Sequence, residues 1–370
     1  MSGGGAGGIG LILALEPFYG GSHRAFLDGL SAQLPGELEL LTMPARNWKA
    51  RMRLAAPKMA AELSRRNLQG GEYRAFLCSS YVDVAAFRGL LPAVLRKVPI
   101  CTYFHENQFA YPVTVEAERD LHFAITNLTT ALASDRLAFN SAHNRDSFLD
   151  GCRQMFSRSA DLRLDGVEEA VLGKSIVLAP GQDFTAIDAA PASDERDGAP
   201  VIIWNQRWEH DKNPEEFFAA LYQLAESGVA FRLVVLGESF RATPPIFAEA
   251  KARLAERILH FGFADSPADY AAWLRRGDVV VSTANHEFFG IAVVEAVRAG
   301  CRPLLPNRLA YPELFPGEYL YEAGELASCL TSALAAGRPG EGESRSLTDR
   351  FAWPALLDKY RDWLGMVVCW

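Results

Sequence analysis

Short apolar runs alternate with amphipathic ones along this chain, and the alternation breaks off once and then starts again. GLILALE, LELLTM, YRAFLCSS, PICTYF, RLAFNS and SIVLAP read as strands. RAFLDGLSAQL, MAAELSRRN, VAAFRGLLPAVLRK, LHFAITNLTTALA and NRDSFLDGCRQMF read as the helices that separate them. Neighbouring parallel strands need a long crossover, usually a helix, so this order predicts a doubly wound parallel sheet. Residues 186–200, AIDAAPASDERDGAP, have no period and mark a linker. The pattern resumes with VIIW, then RLVVLGE, ILHFGF, DVVVSTA and CRPLLP. The helix NPEEFFAALYQLAESG has Asn213 as N-cap, Pro214 in its first turn and Gly228 as its stop. WPALLDKYRDWLGMVV closes the chain as one more amphipathic helix. The expected architecture is α/β: two Rossmann-like domains facing each other across a cleft, at 1–187 and 198–350, followed by a helical segment at 351–370.

Composition excludes several classes. The 370 residues are 49% hydrophobic and 22% charged, as in a globular protein long enough for two domains. No apolar run approaches the about 20 residues that span a bilayer. The start, MSGGGAGGIG, lacks the basic and apolar regions of a targeting peptide, so a cytoplasmic chain without a membrane anchor is expected. Cys78, Cys101, Cys152, Cys301, Cys329 and Cys369 are scattered without zinc spacing and read as reduced thiols. A net charge of −8 argues against a general nucleic-acid binder. One basic patch runs against that total: PARNWKARMRLAAPK holds Arg46, Lys49, Arg51, Arg53 and Lys58 around Trp48, either as an anion-binding face or as a solvated surface.

In open parallel sheets ligands bind beyond the carboxyl ends of the strands. Gly20, Gly21 and His23 follow the first strand, Ser79 and Ser80 the third, His105, Glu106 and Asn107 the fourth, and Asn140 and Ser141 the fifth. In the second half Arg207 and Lys212 follow the first strand, Gly237 and Glu238 the second, and Asn285, His286 and Glu287 the fourth. Their accumulation in both halves points to a polar ligand. FYGGSHRAF brings glycines to a strand–helix junction, where amides and a helix N-terminus suit a phosphate; a plain tight turn is the alternative. NQRWEHDKNPE sets Arg207 and Lys212 on one loop, suited to a diphosphate, with an ion pair to Glu209 or Asp211 as the alternative.

NHEFFGIAVVEAVRAG, residues 285–300, poses a sharper question. From Ile291 to Ala299 it is apolar on nearly every face, yet it carries Glu295 inside and Glu287 just ahead. A buried carboxylate needs a partner. Gly290 permits a tight turn into the helix, leaving the amides of Phe289, Gly290 and Ile291 as donors, and Glu295 leans back toward that end. One acid would take ribose hydroxyls and the other those of a sugar; an internal partner such as Arg298 is the alternative for Glu295.

Two acids spaced E-x7-E at this place resemble the signature of retaining glycosyltransferases with the GT-B fold. EPFYGGSHRAFLDGL, YFHENQFAYP and WNQRWEHDKNPEEFF are similar, more closely, to the tRNA-queuosine mannosyltransferase family, which moves mannose from GDP-mannose to queuosine in the anticodon of tRNA-Asp. The resemblance implies an acceptor-binding first domain, a nucleotide-sugar-binding second domain and a final helix crossing back to the first. It implies catalytic roles for His105, Arg207, Lys212 and Glu287. It implies donor contacts from Gly20, Gly21, Ser22, Glu238, Phe289, Gly290, Ile291 and Glu295. It further implies an acceptor surface of His23, Arg46, Lys49, Arg51, Arg53, Asn107 and Gln108.

The expected reaction is transfer of mannose, with retention, from GDP-mannose as co-substrate to queuosine-modified tRNA-Asp. No cofactor or metal is expected, since enzymes of this type work without one and no D-x-D-like pair follows a strand of the first domain. Arg207, Lys212 and the amides near Gly290 would stabilise the departing phosphate. His105 would hydrogen-bond the sugar, or else be a structural histidine at a strand end. Other readings stay open: another nucleotide sugar with a lipid, glycan or small-molecule acceptor, an epimerase of the same shape, or a nucleotide-sugar-binding protein without turnover.

Overall fold

The computed structural model describes residues 10–68, 70–112, 120–158, 161, 163–191, 198–238 and 243–365. The glycine-rich start, the middle of the 186–200 linker and Cys369 lie outside the described residues. The chain forms two compact units, Met1–Gln182 with Trp353–Trp370, and Asp183–Ala352.

The first unit holds β1 (Leu11–Tyr19), β2 (Leu38–Pro44), β3 (Tyr73–Ser79), β4 (Ile100–Phe104), β5 (Arg136–Phe139) and β6 (Ser175–Val177). They form one parallel sheet in the order β2-β1-β3-β4-β5-β6. A strand covered by helices on both faces must be apolar at every position, and β1 shows this residue by residue. Ile12 and Ala14 enter one core with Trp353, Leu356 and Tyr360, while Leu13 and Leu15 enter the opposite core with Ala55, Met59 and Leu63.

The second unit holds β7 (Val201–Asn205), β8 (Arg232–Leu236), β9 (Ile258–Gly262), β10 (Val279–Val281), β11 (Arg302–Pro306) and β12 (Leu320–Tyr321). This sheet too is parallel, in the order β12-β11-β10-β7-β8-β9. The two-residue β12 escapes the sequence pattern, being too short to show a period.

The closing helix, Trp353–Trp363, belongs to the first unit. Its Trp353, Leu356, Tyr360 and Trp363 recur at helical spacing and bury against Phe26, Leu27 and Leu30 of the helix Gly21–Gln33. Gly29 is required there, because a Cβ would overlap the Trp353 indole.

Four local readings are refined. At the glycine-rich junction β1 runs through Phe18 and Tyr19, Gly20 is the N-cap, and the helix starts at Gly21. The basic patch is mostly helix, a single element from Trp48 to Arg65 with Pro57 inside it. The linker opens with a helix, Thr185–Ala189, held because Asp188 receives the Arg298 guanidinium at 2.6 and 2.7 Å. Asn213 stands at its N-cap position, but its amide donates to Glu216 at 2.6 Å instead of capping the helix.

Candidate active site

Strand order in the second unit reverses between β7 and β10, where ligands of such sheets bind. The loops beyond these strands are tied around one ammonium. Lys212 is buried; its Nζ donates to the His286 carbonyl at 2.7 Å and to Glu287 Oε2 at 3.2 Å, and lies 3.4 Å from Asp211. The Asp211 carbonyl accepts the amides of Asn285 at 2.8 Å and His286 at 3.3 Å. Burial opposes the charge on Glu287, but Lys212, His286 and the Phe289 amide outweigh it and hold its pKa below the ordinary value. Burial likewise opposes Asp211, yet His286, Lys212 and Arg207 bring its pKa down to about 2.

Gly290 is the N-cap of the helix Ile291–Arg298 at φ 92°, a left-handed conformation that suits glycine, and a Cβ there would lie 3.0 Å from the Tyr311 ring. The Phe289 amide points back to Glu287 Oε1 at 3.4 Å, so Gly290 and Ile291 supply the outward amides of that first turn. Glu295 accepts from the Tyr270 hydroxyl at 2.8 Å, and Asn205 Nδ2 donates to that hydroxyl at 3.0 Å. Arg298 is not its partner. Glu295 leans toward the helix start, whereas Arg298, in the last turn, reaches to Asp188 and Asp349. With a phenol as partner, burial lifts the Glu295 pKa to about 7.

In the first unit the reversal lies between β1 and β3, and a different chemistry sits there. Glu16, almost fully buried on β1, accepts the Phe18 amide at 2.8 Å on one oxygen and meets His23 Nδ1 at 3.0 Å with the other. The His23 ring lies 4.3 Å from His105 and 5.1 Å from Tyr81, whose hydroxyl donates to Glu106 at 2.5 Å. Burial disfavours the His23 charge, but Glu16 and Glu106 outweigh it and raise its pKa. Burial and the neighbouring His23 press His105 well below the ordinary histidine value, so it is a neutral imidazole. Among the described residues, Glu16, His23 and His105 are the acid and imidazole groups close enough to share a metal ion, their ligand atoms within 4.8 Å of one another.

The loop carrying His105 is pinned by amides. Asn140 Nδ2 donates to the His105 carbonyl at 2.7 Å, and Asn144 Nδ2 to the Phe104 carbonyl at 2.9 Å. Asn107 Nδ2 donates to Asn144 Oδ1 at 2.9 Å and its Oδ1 accepts the Ala110 amide at 2.9 Å.

Comparison with known proteins decides what this pair of sites belongs to. Residues 11–182 match the tRNA-queuosine alpha-mannosyltransferase N-terminal family, and residues 187–319 match the group 1 glycosyl transferases. A tRNA-queuosine alpha-mannosyltransferase of Drosophila melanogaster is 34% identical over 367 residues, 95% of each chain. The chain belongs to the tRNA-queuosine alpha-mannosyltransferase family. It is a glycosyltransferase of the GT-B fold. Sucrose-phosphate synthase from Thermosynechococcus elongatus has the same fold at a TM-score of 0.72 and 15% identity, covering 96% of this chain and 100% of its own. Anabaena HepE in complex with UDP follows at 0.69 and 15%, with the same coverage.

Within that family the residues named from sequence fall into distinct groups. Lys212, Glu287, Phe289, Gly290, Ile291 and Glu295 come together around one helix start. Arg207 is half exposed and pairs with Glu209 at 3.1 Å, so it is the less committed of the two cations. Glu238 is exposed, and its carbonyl accepts the Trp208 amide at 3.1 Å. Gly20, Gly21 and Ser22 form the N-terminal turn of a 13-residue helix, with Ser22 exposed.

Three of the residues expected at the acceptor lie in the interior of the first unit. Asn107 is fully buried with its amide used internally, so it shapes the loop and is not open to a ligand. Gln108 is buried too, its side chain donating to Glu106 at 3.2 Å. His23 is held inside the Glu16 pair. Arg46 and Lys49 are exposed and Arg51 partly so, whereas Arg53 is bound to Asp120 at 2.9 Å. Sequence reasoning passed over Glu16, Tyr81 and Tyr270. Only Glu16 had a visible signal, an acid closing an otherwise apolar strand.

Proposed function

We propose that this chain transfers a mannosyl residue from GDP-mannose to the queuosine nucleoside of tRNA-Asp, with retention at the anomeric carbon. The observation that carries the reading is the pair Glu287 and Glu295 at one helix start, pushed to opposite protonation behaviour, in a chain similar along 95% of its length to a named tRNA-queuosine alpha-mannosyltransferase.

Glu295 would accept the ribose hydroxyls as it now accepts the Tyr270 hydroxyl. Glu287, kept ionised by Lys212, would accept hydroxyls of the mannose. The acceptor hydroxyl oxygen forms a bond to the anomeric carbon as the bond from that carbon to the β-phosphate oxygen breaks. GDP leaves with the electron pair, and the acceptor proton passes to the departing phosphate. Arg207 and the amides of Gly290 and Ile291 would meet the charge that develops there, the term that usually dominates such catalysis. His105, neutral and with its loop pinned, would hydrogen-bond a sugar hydroxyl.

The reaction is proposed to need no resident metal. Both Glu16 oxygens already accept hydrogen bonds, one from Phe18 and one from His23, which fits an ion pair better than a ligand set. A cytoplasmic setting is supported by the free thiols of Cys78, Cys101, Cys152 and Cys301, all buried and unpaired.

The test is incubation with GDP-mannose and either queuosine-containing or unmodified tRNA, with and without a chelator, followed by nucleoside mass spectrometry. A hexose mass added to queuosine alone, undiminished by the chelator, is expected. Transfer to another acceptor, or none, would overturn the acceptor; GDP-mannose left intact beside turnover of another nucleotide sugar would overturn the donor.

A further inference from the structure

We propose that Trp48 is a stacking platform for a flat nucleobase of the RNA acceptor, with the cations around it receiving the flanking phosphates. This rests on the reading that the acceptor is a tRNA.

Trp48 opens the helix Trp48–Arg65, turned into place by Asn47 in a left-handed conformation at φ 52°. Its indole is partly exposed. Behind it, the rings of Phe123, Tyr111 and Tyr81 lie 5.3, 5.9 and 6.4 Å away, so it is backed by aromatics while part of it stays open. The Lys49 ammonium lies 5.6 Å from the ring centroid. Exposed Arg46 precedes it, and Arg51 Nε donates to the Arg46 carbonyl at 3.2 Å, holding that residue against the helix. Between Leu40 and Ala61 the chain carries five cations and no acid, in a protein whose net charge is −8. Trp48 stands at the edge of this small satellite core with part of its indole in solvent, beside Arg46, Lys49 and Arg51, while Arg53 lies over the Phe123 ring and is paired with Asp120. Single-stranded RNA is held by that combination, bases on aromatic faces and backbone in a positive field.

A membrane surface fits less well. An interfacial helix turns its apolar face outward, whereas here Met52, Ala55, Met59, Ala60 and Leu63 are all buried and Leu54 is the large apolar residue left outside. The platform also adjoins the candidate reactive cluster. Trp48 touches Tyr81, Tyr81 touches His23 and His23 touches His105, at 6.4, 5.1 and 4.3 Å between ring centroids. A base stacked on Trp48 therefore lies on the same unit and three ring contacts from His105.

The experiment compares wild type, Trp48→Leu, Trp48→Phe and the double variant Arg46→Ala/Lys49→Ala in the full chain. It reads the KM for queuosine-containing tRNA, the salt dependence of tRNA binding, GDP release without acceptor, and thermal melting. Trp48→Leu should raise the KM for tRNA about tenfold or more, and Trp48→Phe should recover most of that loss. Both should keep wild-type GDP release and an unchanged salt slope. The double variant should flatten the slope by about 1 to 2 units. A Trp48→Leu enzyme with wild-type KM would overturn the platform. Equal losses in both Trp48 variants with lowered melting would reduce Trp48 to a packing residue. Competition of tRNA binding by phosphatidylserine vesicles would point to a lipid surface instead. Wild-type transfer to tRNA combined with an unaffected Trp48→Leu sinks the platform alone, whereas wild-type transfer to a non-RNA acceptor sinks the functional reading and the platform with it.

Discussion

The two units are built on the same principle and hold their sites together in opposite ways. Each is a six-stranded parallel sheet with its polar residues at the point where strand order reverses. In the second unit, charge does the holding: Lys212 gathers Glu287, Asp211 and the His286 carbonyl, and the ionised acids stay ready for a polar ligand. In the first, imidazoles and amides do it: Glu16 and His23 pair in the interior, and Asn140, Asn144 and Asn107 fix the loop of His105. On the proposed reading, a site for a diphosphate and two sets of hydroxyls needs ionised groups held close together. On the same reading, a neutral imidazole that meets a sugar needs charge kept off its own ring. The comparison teaches that one fold can supply both.

The comparison is most exposed to failure at Lys212. Lys212→Met takes the ammonium from both Glu287 and Asp211, and removing one partner of a buried pair costs about 3–5 kcal/mol. Turnover should fall by roughly 10²-fold or more and the melting temperature should drop with it. Arg207→Ala, at a half-exposed site, should lower turnover comparably and leave melting unchanged. If both variants melt like wild type, the second unit is not held by charge as described.

A smaller effect separates the two acids. Glu295, with its pKa at about 7, must ionise to accept ribose hydroxyls well. Donor affinity should therefore strengthen as pH rises through 7, by up to about tenfold per pH unit on the acidic side. Titration calorimetry of GDP between pH 6 and 8 would show the slope, and its persistence in Glu295→Gln would assign it elsewhere.

The smallest effect belongs to the first unit. Glu16 raises the folded-state pKa of His23, so the pair stabilises fully below the unfolded histidine value of about 6.5 and is lost as pH climbs through the higher folded value. Urea unfolding of Glu16→Gln against wild type should show a larger deficit at pH 6 than at pH 9. An equal deficit at both would mean that Glu16 acts through packing and its bond to Phe18 alone.

How much was legible beforehand follows from sequence distance. Glu287, Gly290 and Glu295 lie within nine residues, so helix geometry alone brings them to one end, and the spacing could be read directly. The basic stretch around Trp48 is equally local. Glu16, His23, Tyr81 and His105 are spread over ninety residues and meet only because β1, β3 and β4 are neighbours. Tyr270 reaches Glu295 from another helix, and Asp188 reaches Arg298 across more than a hundred residues. Asn107 shows the opposite case: it belongs to a distinctive run, HENQFAYP, yet its amide is consumed by the fold.

By itself the sequence determined the two parallel sheets, the acid pair and its helix start, and the basic run around Trp48, because periodicity and short-range spacing are properties of a local chain. Tertiary structure alone decided which acid keeps its charge. Glu287, in the loop before the helix, and Glu295, inside it, are the same residue type, and their pKa values part in opposite directions. One meets an ammonium from a distant loop and the other a phenol, and the energy of a buried charge is set by whatever the fold brings to within a few ångströms of it.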